Sequence, residues 1–127
     1  MSAQQLTMRQ AARIVHSNGF TGLHAVAAVA IIWGESGGDA HAVNVVDHNP
    51  ASRAYLSCDI GLWQINSYWH PEVSMRDALD PVKATQHAWR ISGGGWGFDP
   101  WHVYTSNKHL RYVDAAFQAF VDEGIRL

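Results

Sequence analysis

At 127 residues, 47% hydrophobic and 16% charged, the chain is one domain long and too apolar to be disordered. Its longest strongly apolar run, Ala25–Trp33, has nine residues, against the ~20 that a membrane-spanning helix needs. The net charge of −2 comes with no cluster of Lys or Arg, which argues against nucleic-acid binding, and the single cysteine, Cys58, excludes an internal disulfide.

Met1–Gln10 lacks the basic-then-apolar pattern of a secretory signal, so the expectation is cytoplasmic synthesis without a signal peptide. A first helix is predicted with Leu6, Ala11, Ile14 and Val15 on one face. It stops at Asn18-Gly19, since glycine tolerates the left-handed C′ position. Thr21 is placed to cap the next helix. From Leu23 to Trp33 the residues are apolar on almost every side, the mark of a central buried helix. That helix ends in Gly34-Glu35-Ser36-Gly37-Gly38. Residues 39–57 read as irregular, because Asn44, Asp47, Asn49, Pro50 and Ser52 favour turns. Cys58–Asn66 alternates partially and reads as a short strand or hairpin arm. Asp80-Pro81 reads as N-cap and N1 of a helix that Ser92-Gly93 ends. Asp99-Pro100 repeats that start for a short helix. A last helix is predicted to turn Leu110, Val113, Phe117, Phe120 and Val121 inward and to stop at Gly124. The glycines of Gly93–Gly97 form a loop, but no Lys-Ser/Thr pair follows to make it a phosphate loop.

The chemistry starts at Glu35. A carboxyl at the end of the most apolar helix is held towards its protonated form, by burial and by the negative end of the helix dipole. That suits a general acid near neutral pH; a surface Glu that merely ends a helix is the plainer reading. Asp59 offers a second carboxylate, and glycosidases need two across a cleft. Six tryptophans are many for this length. Core filling accounts for most of them singly, whereas indoles lining a groove suit the apolar faces of sugar rings.

Glu35-Ser36 followed by Gly61-Leu62-Trp63-Gln64 resembles soluble lytic transglycosylases and goose-type lysozymes. Asp59-Ile60-Gly61-Leu62-Trp63-Gln64-Ile65-Asn66-Ser67-Tyr68-Trp69 is similar to the matching stretch of chicken-type lysozymes. Closer still is a group of phage and actinobacterial lysozyme-like domains of the transglycosylase type. That group shares the Asp59–Asn66 block, then Trp69-His70-Pro71-Glu72-Val73, then a segment like Trp96–Tyr104. The resemblance runs from about Ala25 to Tyr112.

It implies a mainly α-helical α+β lysozyme-like fold, with residues 1–127 as a single catalytic domain and a small β element beside the cleft. It implies cleavage of the β-1,4 bond between N-acetylmuramic acid and N-acetylglucosamine in peptidoglycan, by a muramidase or a lytic transglycosylase without cofactor. Glu35 resembles the acid and Asp59 the second carboxylate. Ser36 follows the acid; Gln64 and Asn66 resemble residues that hydrogen-bond the substrate. Trp63, Trp69 and Trp101 are candidates for stacking on sugar, and Tyr104 resembles a tyrosine near the acid. The expected setting is a monomeric endolysin or tail-lysin module, released by a holin or delivered by a phage tail, with the bacterial wall as partner. Three departures stand out. The disulfide frame and basic charge of chicken-type lysozymes are absent. Val103-Tyr104-Thr105-Ser106-Asn107 replaces the Ala-Tyr-Asn-Ala-Gly motif of many transglycosylases, which leaves hydrolysis and transglycosylation both open.

Other readings carry less. His41, His48, His70, His87 and His102 lack His-Glu-x-x-His or paired-cysteine spacing, so no metal site is expected. His70, before Pro71, reads as bonding backbone at a turn, and His41 and His48 as loop polars. Cys58 as a nucleophile is disfavoured by the charge of adjacent Asp59, which opposes a thiolate. The reading from another class is a catalytically silent lysozyme-like domain that binds glycan or serves as a structural part.

Overall fold

The computed structural model describes residues 4–47 and 56–127; the expected loop polar His48 and the turn-favouring Asn49, Pro50 and Ser52 lie outside them. Helix α1 (Met8–Ser17) opens on a capping box in which the Thr7 hydroxyl accepts from Gln10 N and the Gln10 side chain accepts from Thr7 N. Leu6 lies before this start but is buried, because residues 4–6 pair with the chain that leaves α2 (Gly22–Ser36): Leu6 N donates to Gly38 O and Ala40 N to Gln4 O. Thr21 is the N-cap of α2, yet its side chain makes no capping bond. Residues 25, 26 and 28–32 of α2 are buried, as an all-round apolar helix requires. Gly37 ends it in the left-handed conformation.

After α2 the chain forms an antiparallel sheet in the order β1 (Val43–Asp47), β2 (Leu56–Ile60) and β3 (Ile65–Asn66). The expectation of irregular chain over 39–57 is corrected by β1. Val43 and Val45 are exposed, so this strand has no buried face to write an alternation into the sequence. Helix α3 (Met75–Leu79), capped by Ser74, was not anticipated. Helix α4 (Pro81–Ile91) starts as read, with Asp80 Oδ1 accepting from Val82 N and Lys83 N, and stops at Ser92.

Helix α5 (His102–Thr105) begins later than Asp99-Pro100 suggests. Trp101 N donates to Phe98 O at 2.9 Å, so Asp99-Pro100 forms the turn between two aromatic anchors. A 3-10 helix (Lys108–Tyr112) then leads into α6 (Val113–Asp122). The inward face of α6 differs from expectation. Ala116, Ala119 and Phe120 are buried, while Leu110, Phe117 and Val121 are exposed. Small residues let α6 lie close against α1 and α2, whose buried residues are also rich in alanine.

The result is an α+β architecture, mainly helical, around α2. An aromatic column runs through its centre. Phe20 stacks on Trp63 (5.5 Å between centroids) and on Phe98 (6.2 Å), and Trp63 meets Trp101 at 5.2 Å. Both indole N–H groups are satisfied: Trp63 donates to Thr85 Oγ1 and Trp101 to the Trp63 carbonyl, each at 3.0 Å. Among the described residues no helix is long and apolar enough to cross a membrane.

Candidate active-site cleft

Glu35 stands in the last turn of α2, held there by its neighbour. Ser36 Oγ donates towards Leu62 O (2.7 Å) and Ile32 O (3.1 Å) and accepts from Gly38 N (3.2 Å). That hydroxyl therefore ties the helix end to the turn after β2 and makes no bond to the Glu35 carboxyl. Among the described residues no donor hydrogen-bonds that carboxyl either. Burial first, and the charge of Asp59 second, push Glu35 up from 4.5 to about 7.

Asp59 is the fourth residue of β2, in register with Asn44 on β1 and Asn66 on β3. Asn66 Nδ2 donates to Asp59 Oδ1 at 2.8 Å and to Ser57 Oγ at 2.9 Å. Its own Oδ1 accepts from Tyr68 N and Trp69 N. Asn66 thus orients the second carboxylate while pinning the turn that follows. Gln64 takes a positive φ of 51°. Its Nε2 donates to Ala42 O and Gly61 O and its Oε1 accepts from Asn44, so the amide braces the turn between β2 and β3. Gly61 is required there: at φ +77° a Cβ would lie 1.8 Å from Ala78 O, where α3 crosses the turn.

Both carboxyls line one cleft of about 150 Å³, together with Gln64, Asn66, Trp101, Ile65, Ile91, Pro100, His70 and His102. A larger hollow of about 310 Å³ lies between the N-terminal segment and α1. Arg13, its one charged residue, is already paired with Glu123, whereas the smaller cleft brings two carboxyls together. Of the residues singled out from the sequence, Glu35, Asp59, Gln64, Asn66 and Trp101 meet there. Trp69 is 66% exposed and packs edge-on against Tyr68. Tyr104 is half-buried against Phe98 and His109. Ser36 and Trp63 do not line the cleft. Trp63 is fully buried in the aromatic column, which corrects the expectation of a stacking face, and the hydroxyl of Ser36 is spent on backbone.

His70 is the residue the sequence reading undervalued. Its ring pairs with a carboxylate instead of backbone: Nδ1 lies 3.3 Å from Glu72 Oε2. Glu72 also accepts from Arg90 at 3.1 Å, Arg90 reaches His87 Nδ1 at 3.0 Å, and His87 Nε2 meets Asp77 Oδ2 at 3.0 Å. The signal was in Trp69-His70-Pro71-Glu72, where a turn brings a carboxylate back to the histidine. Glu72 holds the ring in one orientation on the cleft wall. Among the described residues no three His, Cys, Asp or Glu side chains gather as a metal site.

A partly buried acid without hydrogen-bond donors, beside a second carboxylate that is hydrogen-bonded, is an arrangement for delivering one proton and stabilising positive charge. The family described as lysozyme like domain matches residues 12–103. No curated protein and no solved structure matches significantly.

Proposed function

The chain belongs to the lysozyme-like domain family, and from that premise we propose that it cleaves the β-1,4 bond between N-acetylmuramic acid and N-acetylglucosamine in peptidoglycan. Family membership points to peptidoglycan glycan cleavage in general; the individual roles are our reading. Glu35, raised to about 7 in a cleft shared with Asp59, is the observation that carries it. Glu35 protonates the glycosidic oxygen as the bond breaks, and C1 gains oxocarbenium character. Asp59, oriented by Asn66, stabilises that charge or bonds to C1. Water, or the substrate's own 6-hydroxyl, completes the reaction. Gln64, Asn66, Trp101 and exposed Trp69 contact the sugars, and Ser36 acts through the backbone. The proposed setting is a monomeric phage lysin module acting on the bacterial wall.

Mass spectrometry of digested peptidoglycan, with Glu35→Gln alongside, tests this. Fragments with reducing muramic acid ends mean a muramidase. Fragments lighter by one water, the 1,6-anhydro form, mean a lytic transglycosylase. If several wall types yield no fragments while glycan is still retained, the domain is a silent glycan binder and the proposal fails.

A further inference from the structure

A second hollow, of about 230 Å³, is lined by Gly34, Lys108, Arg111 and Tyr112. Gly34 immediately precedes Glu35, so hollow and cleft share the last turn of α2. Helix α5 stands between them. His102, with Trp101 just before it, lines the cleft, and Val103 packs on Gly34 so closely that a Cβ there would lie 3.1 Å from Val103 Cβ.

The hollow's charge is unspent. Arg9 and Arg13 are paired with Glu123, and Arg90 with Glu72. Lys108 and Arg111 make no ion pair with a described residue, although the chain as a whole carries −2. Two cations in one concavity focus a positive potential. Arginine presents a planar fork that matches a carboxylate, and Tyr112 completes the wall of the hollow. While the peptide is attached, the lactyl carboxyl of each muramic acid is held as a neutral amide, so the sugars that would occupy the cleft offer such a site no anion. In peptidoglycan the carboxylates sit on peptide branches that leave the strand at muramic acid. A cation site beside the cleft, and not inside it, suits groups that project sideways.

We propose that the Gly34–Lys108–Arg111–Tyr112 hollow binds a carboxylate of the peptide branch of peptidoglycan while the glycan strand lies in the cleft. This rests on the function proposed above. The test compares the double variant Lys108→Ala, Arg111→Ala with wild type on three substrates. These are untreated walls, walls freed of phosphate polymers by hydrofluoric acid, and the latter with peptides removed by an amidase and the lactyl carboxylates so uncovered capped as methylamides. Both residues are exposed, so the thermal midpoint should hold. On acid-stripped walls the variant should lose about tenfold in kcat/KM, mostly through KM, as expected for two partly exposed charged contacts. On peptide-free strands it should match wild type within about twofold. An equal loss on peptide-free strands, no loss on stripped walls, or a loss confined to untreated walls overturns the proposal; the last would assign the hollow to a phosphate polymer. Titration of Glu35→Gln with a disaccharide-peptide and with the disaccharide capped as its lactyl methylamide reads the site without turnover. Tighter binding of the peptide form, lost in the double variant, supports the site even if wild type cuts nothing, and equal affinities overturn it.

Discussion

Replacing Glu35 by Gln should disarm the protein and stabilise it at the same time. Glu35 binds its proton more tightly folded than unfolded, with the value raised from 4.5 to about 7. Its contribution to stability is therefore full below the unfolded value and is lost as pH rises through about 7. At pH 8 the native state holds a carboxylate where burial and Asp59 both disfavour it. The full shift corresponds to ~3 kcal/mol, and solvent reaching the cleft reduces this to ~1–2 kcal/mol. For a chain of this size that is ~3–8 °C in Tm. Gln has nearly the same shape and no charge to bury. Thermal unfolding at pH 8 should show the variant more stable by about that margin, while at pH 4 the two should agree within ~1 °C. Release of soluble fragments from dyed cell walls should fall by ~10²–10⁴-fold. An unchanged Tm at pH 8, or an equal rise at both pH values, refutes the account of Glu35's environment; activity within about tenfold of wild type refutes its role as the acid.

Wild-type cleavage should decline about tenfold per pH unit above about 7, as Glu35 loses its proton; a flat rate from about pH 5 to 9 contradicts the acid role. In Asp59→Asn that alkaline limb should move to lower pH, because one of the two causes raising Glu35 is gone; a limb that stays in place means the two carboxyls do not sense each other. The accompanying rate loss should be severe if Asp59 is the nucleophile and milder if it only stabilises charge. Asn66→Ala removes the bonds that Asn66 makes to Asp59, Ser57 and the Tyr68 and Trp69 N–H groups, and chemical denaturation should report a loss of ~1–3 kcal/mol. Gly61→Ala drives a Cβ to 1.8 Å from Ala78 O at φ +77°, so it should cost more than ~3 kcal/mol, and a Tm within a few degrees of wild type would remove the need for glycine there.

What could be read in advance depended on whether a residue's role was local. The cap at Asp80, the end of α2 within Gly34–Gly38 and the burial of that helix follow from composition within one or two turns, and they were legible. So was the pairing of Glu35 with Asp59, through motif resemblance more than spacing. Tertiary contacts hid the rest. β1 has no buried face to signal it. Ala116 and Ala119 took the inward positions on α6 because helices must approach closely there, and no periodicity of large residues records that. Trp63 and Trp101 look alike as sequence, but one is fully enclosed among the aromatic rings and the other reaches the cleft wall. His70 acquired its place from Glu72 and Arg90, the second of which is contributed by α4, eighteen residues further along.

The bond from Ser36 Oγ to Leu62 O joins groups 26 residues apart in the chain. Helix α2 can form from its own neighbours, whereas this bond waits for the hairpin to dock, a loop closure with its own entropic cost and slower kinetics. Before docking, Glu35 stands in water with the proton affinity of any surface glutamate and is ionised at neutral pH. The raised proton affinity of Glu35 therefore belongs to the docked tertiary structure and not to the helix that bears the acid.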